Sequence, residues 1–254
     1  MSTPGPILIT GATGLVGRQL VRHFLASGRT VIATSRSAAN LAKLKSESDG
    51  TAGNLVLAEC DLAAQDGPPG LIGRLAALDH HPETIVNNAR NADFLKLQSD
   101  GTPGRDAWIG EFLVDVVAAY ELVMAAARAP SSQLRTVVNI ASMYGVVAAN
   151  IHLYENPEQQ SPVHYGPIKA ALIHLTKELA VRFASQNIRV NAVSFGGIEG
   201  RVGEDFKARY SKLAPAGRML DLEEVAGAVE FLATAASRGT TGHNLVVDGG
   251  WTIW

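Results

Sequence analysis

The sequence predicts one α/β domain, a doubly wound parallel sheet with helices on both faces. Three observations carry that expectation. Short apolar runs of strand length alternate with stretches of helical period along the whole chain. The first such run, Pro6 to Ile9, feeds a glycine-rich turn that opens a helix. No repeat, low-complexity stretch or linker divides the 254 residues, so a single domain spanning 1–254 is expected. Hydrophobic residues make up 46% and charged residues 18% of the chain, and the net charge is −2. That balance fits a soluble globular protein with no strong pull toward nucleic acid or anionic membranes. No apolar run reaches membrane-spanning length, and a cytoplasmic protein is expected. The lone cysteine, Cys60, can form no internal disulfide and reads as a small buried hydrophobe.

Taken in order, the turn Thr10 to Gly17 has the spacing G-x-x-G-x-x-G, and Leu20, Val21, Phe24 and Leu25 follow at helical period. Strand, glycine turn and helix form the context in which a dinucleotide pyrophosphate sits on a helix N-terminus. Gly11, Thr13, Gly14, Leu15, Val16 and Gly17 are therefore candidate cofactor-binding residues. The alternative is a helix-entry turn with nothing bound. The second strand, Thr30 to Thr34, ends at Ser35-Arg36, where dinucleotide folds meet the adenosine ribose. No acid stands there to grip a free 2′-hydroxyl, and Arg36 can pair with phosphate. NADP(H) is favoured and NAD(H) remains possible; otherwise Arg36 is a solvated loop charge. Residues 38–50 read as a helix and Asn54 to Ala58 as a strand, after which Asp61-Leu62 is placed to reach an adenine.

Gly67 to Gly70 reads as a loop before a helix near 71–78. The strand Thr84-Ile85-Val86 then delivers Asn87-Asn88-Ala89-Arg90, with Asn88 and Ala89 expected against cofactor. Residues 91–106 read as loop, and Trp108 to Arg128 as one long helix. Thr136 to Ile140 is a buried-looking strand that delivers Ser142. The next helix is expected to start at Ser161-Pro162, a cap followed by proline, and to run through Leu172, Leu175, Leu179 and Phe183. The strand Arg189 to Val193 leads to Gly196 and Ile198, also candidate cofactor contacts. Residues 196–218 have the composition of a mobile lid. A last helix at 222–234 and a last strand within 242–250 complete the chain.

Tyr165 and Lys169 stand four apart, on one face of a helix. A phenol titrates near ~10, too high for a base at neutral pH, and a neighbouring ammonium favours the phenolate. A nicotinamide cation nearby would favour it further. The Ser142 hydroxyl could hold the substrate's oxygen. The alternative for the pair is a surface couple on an amphipathic helix. His152 and His164 read as loop or structural residues, and no metal-ligand spacing occurs.

Together, Thr10 to Gly17, Asp61-Leu62, Asn87-Asn88-Ala89, Ser142, Tyr165 with Lys169, Arg189-Val190-Asn191 and Val247-Asp248-Gly249-Gly250 resemble the short-chain dehydrogenase/reductase family over nearly the whole chain. The resemblance implies a Rossmann-type fold and hydride transfer at nicotinamide. It also implies Tyr165 as acid/base, Lys169 as its pKa partner and holder of the nicotinamide ribose, Ser142 as substrate-positioning residue, and a homodimer or homotetramer. Four features depart from the family pattern. The glycine spacing is that of longer, nucleotide-sugar-acting members, and Arg90 replaces a glycine. Asp115 aligns with the asparagine that completes the catalytic set, and the interval from Ser142 to Tyr165 is longer than in compact members.

The extra residues lie in 143–162, expected to project beside the substrate. Their polar make-up suits a sugar or sugar-like polyol. The stretches Met143 to Val147 and Ser194 to Glu199 are similar to oxidoreductases of bacterial surface-sugar and flagellin-modification pathways. The competing expectations are a 3-oxoacyl thioester reductase and a nucleotide-binding regulator without chemistry. The apolar 108–128 helix and the tail tryptophans, Trp251 and Trp254, are expected at a subunit interface.

Overall fold

Ile7, Leu8 and Ile9 have no solvent contact in any direction, which puts β1 (Ile7–Ile9) at the centre of the sheet. A computed structural model describes residues 4–200 and 202–253. β1 is flanked on one side by β2 (Thr30–Ser35) and then β3 (Asn54–Glu59). On the other side lie β4 (Thr84–Asn87), β5 (Thr136–Ser142), β6 (Arg189–Phe195) and β7 (Asn244–Val247). Among the described residues the order is β3-β2-β1-β4-β5-β6-β7, every pair parallel. The doubly wound reading holds.

Side chains alternate across the sheet and separate its core into two layers. Ile7, Ile9, Val31, Val86, Val138 and Val193 share a layer with α1 (Leu15–Ala26), α2 (Ala38–Glu47) and α9 (Leu222–Ala233). Leu8, Ile32, Ile85, Val137 and Val190 face α3 (Gly67–Ala77), α5 (Ala118–Arg128) and α7 (Tyr165–Phe183). Burying strands on both faces requires the continuous Val/Ile/Leu runs seen in the sequence.

Several boundaries differ from expectation, each for a local reason. The segment read as a Gly/Pro loop is the first turn of α3, since Pro68 and Pro69 occupy positions whose N–H groups would have no helical partner anyway. Within residues 91–106, Ala92–Leu95 forms a 3₁₀ turn and α4 (Arg105–Phe112) has already begun. The long helix expected at 108–128 is interrupted by a π-turn, Leu113–Val117, between α4 and α5. Ser161-Pro162 does not start α7; Pro157 heads a short α6 (Pro157–Gln160), and His164 stands at the N-cap of α7 without a side-chain cap bond. Residues 196–218 are partly ordered as α8 (Glu204–Leu213); Arg201 lies outside the described residues.

Trp251 is not available to a second subunit. It is buried in its own chain, stacked on Tyr210 of α8 with ring centroids 4.4 Å apart. Trp254 lies outside the described residues. No helix among those residues is long and apolar enough to cross a membrane.

Candidate active site

Strand order reverses between β1 and β4, and in open α/β sheets the crevice beyond the carboxyl ends there receives ligands. Thr10 closes the seam: its hydroxyl accepts the backbone N–H groups of Asn88 and Ala89, each at 2.9 Å. The Asn88 amide returns a bond to the Thr10 carbonyl at 2.9 Å. A cavity of about 710 Å³ opens above this seam. Its walls contain every candidate cofactor residue named from sequence: Gly11, Thr13, Gly14, Leu15, Val16, Gly17, Ser35, Arg36, Asp61, Leu62, Asn88, Ala89, Tyr165, Lys169, Gly196 and Ile198. Ser142 lines it as well.

The turn's glycines are required by close approach. Gly11 has φ +61°, and a Cβ there would lie 2.7 Å from the Cα of Ala89. A Cβ on Gly17 would collide with the Gly11 carbonyl oxygen. The first turn of α1 has no side-chain cap and no acidic residue, so its N–H groups and positive dipole end face the cavity. Beside it Thr13 and Ser35 share a hydroxyl–hydroxyl bond at 3.1 Å. Arg36 reaches across the groove, donating to the Asn91 side chain at 3.3 Å and pairing with Asp93 at 3.5 Å. Lys96, and then Arg36, hold the Asp93 carboxyl below its ordinary value. Cys60 lines the same cavity next to Asp61; it is buried, and burial raises its thiol pKa.

At the opposite end, β5 delivers Ser142, whose hydroxyl accepts the Tyr144 N–H at 3.2 Å. Tyr165 opens α7 and Lys169 follows one turn later. The Lys169 ammonium lies 5.8 Å from the centre of the Tyr165 ring and donates to the Ile140 carbonyl at 3.1 Å. On the far side it pairs with Asp115 at 2.7 Å. Burial opposes its charge, but Asp115 and then Tyr165 outweigh burial and hold the ammonium above its ordinary value. Arg90 stacks its guanidinium 5.5 Å from the Tyr165 ring centre, so two cations flank the phenol.

Asp115 does not line the main cavity. The π-turn tucks it behind Lys169, against a void of about 10 Å³ also walled by Thr10 and Asn87. That is the lower limit for one water. Further polar support comes from a buried chain: the Asn87 amide donates to Asn139, and Asn139 to Thr176, at 2.8 and 2.9 Å.

Glu111 escaped the sequence reading, whereas His164, expected as a loop or structural residue, is structural. Glu111 and His164 are buried beside this cluster, 2.9 Å apart, and His164 donates to the Phe94 carbonyl at 2.8 Å. Burial, and then Asp115, push the Glu111 carboxyl up to about 7. The available signal was two acids, Glu111 and Asp115, one turn apart on the apolar face of a helix.

The segment 143–162 lines none of the cavity. Its polar residues serve the segment itself, α8 and the loop before α4: Asn150 caps a 3₁₀ turn, Arg209 binds the Leu153 carbonyl at 2.8 Å and Glu155 at 3.4 Å, and Gln159 donates to the Ser99 carbonyl at 3.4 Å. Tyr144 and Tyr154 join hydroxyls at 3.2 Å.

The family described as enoyl-(acyl carrier protein) reductase matches residues 11–252. The chain is a short-chain dehydrogenase/reductase. Among this family's curated members, a short-chain type dehydrogenase/reductase of Sinorhizobium fredii is 31% identical over 96% of this chain and 43% of its own length. A post-translational flagellin modification protein A of Campylobacter coli is 39% identical over 46% of each chain. This chain thus matches less than half the length of those two relatives. A 3-oxoacyl-acyl-carrier-protein reductase of Thermotoga maritima is 32% identical over 97% of each. Among solved structures, a short-chain dehydrogenase of Leptospira borgpetersenii with bound NAD+ superposes with TM-score 0.83 at 26% identity, over 98% of this chain and 93% of that one. A gluconate 5-dehydrogenase of Burkholderia cenocepacia in complex with NADP and tartrate gives 0.82 at 25%, over 98% and 96%.

Proposed function

We propose that this short-chain dehydrogenase/reductase transfers hydride to or from a carbonyl or secondary alcohol of a sugar or sugar-like polyol, with NADP(H) preferred over NAD(H). One observation carries the reading: Ser142, Tyr165 and Lys169 line one end of a cavity whose other end is the glycine turn. The residues fit a dinucleotide. The uncapped first turn of α1 and the Cβ-free surface at Gly11 and Gly17 would hold the pyrophosphate. Ser35 and Arg36 would meet a 2′-phosphate, with Arg36 exchanging Asp93 for it. Asp61 and Leu62 would border the adenine, and Asn88, Ala89, Gly196 and Ile198 the nicotinamide half.

Bound there, the nicotinamide supplies or accepts the hydride. Tyr165 gives a proton to the reduced oxygen, or takes one from the alcohol being oxidised, while Ser142 holds that oxygen. Lys169 and Arg90 set two cations beside the phenol ring, and Asp115 keeps Lys169 charged and aimed. A polyol substrate is supported by the likeness to gluconate 5-dehydrogenase. The Thermotoga relative favours 3-oxoacyl thioesters as the second reading.

Separate calorimetric titrations with NADPH and NADH test the cofactor assignment; tighter NADH would make Arg36 a bystander. A panel of keto-sugars and 3-oxoacyl thioesters, run with wild type and Tyr165→Phe, tests the chemistry. Loss of roughly 10³-fold in turnover is expected for Tyr165→Phe with cofactor binding kept. Equal turnover in both proteins sinks the assignment, and nucleotide binding without any turnover would favour a regulator. A homodimer or homotetramer built on the α4–α5 face is part of the same proposal. Trp108, Ile109, Phe112 and Tyr120 are exposed there, and a monomer in sedimentation would remove it.

A further inference from the structure

Hydride transfer leaves one side chain of the cavity without a task. Arg90, which stands where the family pattern has a glycine, is exposed in the cavity wall beside Tyr165. Among the described residues that wall holds the cations Arg36, Arg90 and Lys169 and the carboxylates Asp61 and Asp93. Lys169 is paired with Asp115 at 2.7 Å and Arg36 with Asp93 at 3.5 Å, and Lys96 takes the same Asp93 at 2.7 Å. Arg90 makes no ion pair and no side-chain hydrogen bond among the described residues. Its guanidinium lies against the Tyr165 ring instead, 5.5 Å from the centre. Asp61 cannot serve it readily. The strand before Asp61 is β3, three places from β4 in the sheet, roughly 14 Å at ordinary strand spacing. Glu111 feels the charge of Arg90 but forms no ion pair with it. The uncancelled charge at the Tyr165 end is therefore positive.

While the cavity is open, water satisfies this guanidinium, and the ring face holds it only weakly. Filling the cavity changes that. Cofactor and substrate displace the water, and a group with five N–H donors then needs acceptors on what has entered. The oxidised nicotinamide brings a further positive charge to the same end, which an anion on the substrate would offset. The dinucleotide's phosphates already have the open first turn of α1, whereas Arg90 lies on the ring of the residue that meets the reacting oxygen.

We propose that Arg90 is the anion receptor of this site and that the substrate is an acidic polyol, a hydroxy acid or its keto form, whose carboxylate pairs with the guanidinium while its reacting oxygen sits between Tyr165 and Ser142. The proposal rests on the reading of Tyr165 as acid/base. The planar fork of arginine matches a carboxylate through two parallel N–H···O bonds, so it orients the molecule as well as attracting it. A polyol has several similar alcohols. Anchoring one end at Arg90 presents a single carbon to the nicotinamide. An uncharged polyol offers no equal replacement for the water that Arg90 gives up. No proton or electron passes through Arg90; its part is binding and alignment.

The test compares wild type, Arg90→Gln, Arg90→Lys and Tyr165→Phe. Short aldonates, and the uncharged alditols of the same chain length, are titrated calorimetrically into the NADPH complexes and then offered with NADP+ for turnover. Wild type should prefer the acid over its alditol by roughly 10–100-fold, one charge-assisted contact's worth, in affinity and in kcat/KM, with the difference carried by KM. Arg90→Gln should bring acid and alditol together and leave NADPH affinity unchanged. Arg90→Lys, charged but without the fork, should recover part of the preference. Wild type that binds no aldonate, or binds the alditol as well as the acid, overturns the proposal. So does an acid preference that survives Arg90→Gln; a loss of NADPH affinity in that variant would then assign the guanidinium to the cofactor's phosphates. In these cases Tyr165→Phe still abolishes turnover and the hydride-transfer reading stands. Turnover that survives Tyr165→Phe overturns that reading, and the receptor with it.

Discussion

At the glycine-turn end of the cavity, position is set by how closely backbones approach. Gly11 leaves no room for a Cβ against Ala89, and Thr10 stitches β1 to the loop after β4 through three hydrogen bonds. At the Tyr165 end, position is set by buried charge: Lys169, Asp115, Glu111 and His164 hold one another out of solvent. The first arrangement is indifferent to pH and intolerant of added atoms. The second accepts changes of shape but not the loss of a partner.

The largest test of that contrast is Asp115→Ala, which strands a buried ammonium. Breaking such a pair costs about 3–5 kcal/mol, so the urea midpoint should fall sharply, and a wild-type midpoint would break the comparison. Next is pH dependence. The raised Glu111 pKa means the folded state binds more protons than the unfolded between its ordinary 4.5 and about 7. Stability from this group is therefore present at low pH and lost as pH climbs through that window, by up to about 3 kcal/mol. His164 acts in the opposite sense, since its lowered pKa costs stability as pH falls below the ordinary histidine range. Glu111→Gln should remove the alkaline loss in chemical denaturation at pH 5 and pH 8.

A smaller effect is expected at the other end. Gly11→Ala should cost about 2 kcal/mol, by the same amount at both pH values, together with loss of cofactor affinity. A pH-dependent cost there would blur the distinction. Smallest is Arg36→Gln, which should weaken NADPH about 10-fold, one charge-assisted bond's worth, and leave NADH unchanged in calorimetry.

What the sequence disclosed follows the same division. The glycine turn, the alternation of strands with helices and the Tyr165–Lys169 spacing were legible because each is carried by neighbours within a few residues. The π-turn was not, because the periodicity of 108–128 reads as one helix, and Lys169, the partner that Asp115 of the turn meets, lies far along the chain. The helix start at Ser161-Pro162 carried a good local signal that lost to Pro157 and to His164, whose side chain is held by Phe94. The polar residues of 143–162 are expected beside the substrate; the segment lines none of the cavity, and Asn150 and Glu155 serve capping and Arg209. Polarity alone does not say whom a side chain serves.

Tyr210 binds three distant segments at once. Its ring stacks on Trp251, its hydroxyl accepts the Gly197 N–H at 2.8 Å, and the same oxygen approaches the Met143 sulfur at 3.9 Å. A Cβ at position 197 would lie 2.7 Å from that ring. Ancestry is thereby constrained. A lineage can enlarge residue 197 only after it has given up the aromatic at 210, and giving that up unseats residue 251. The three positions should be inherited as a set, and a single exchange among them should need the other two to follow.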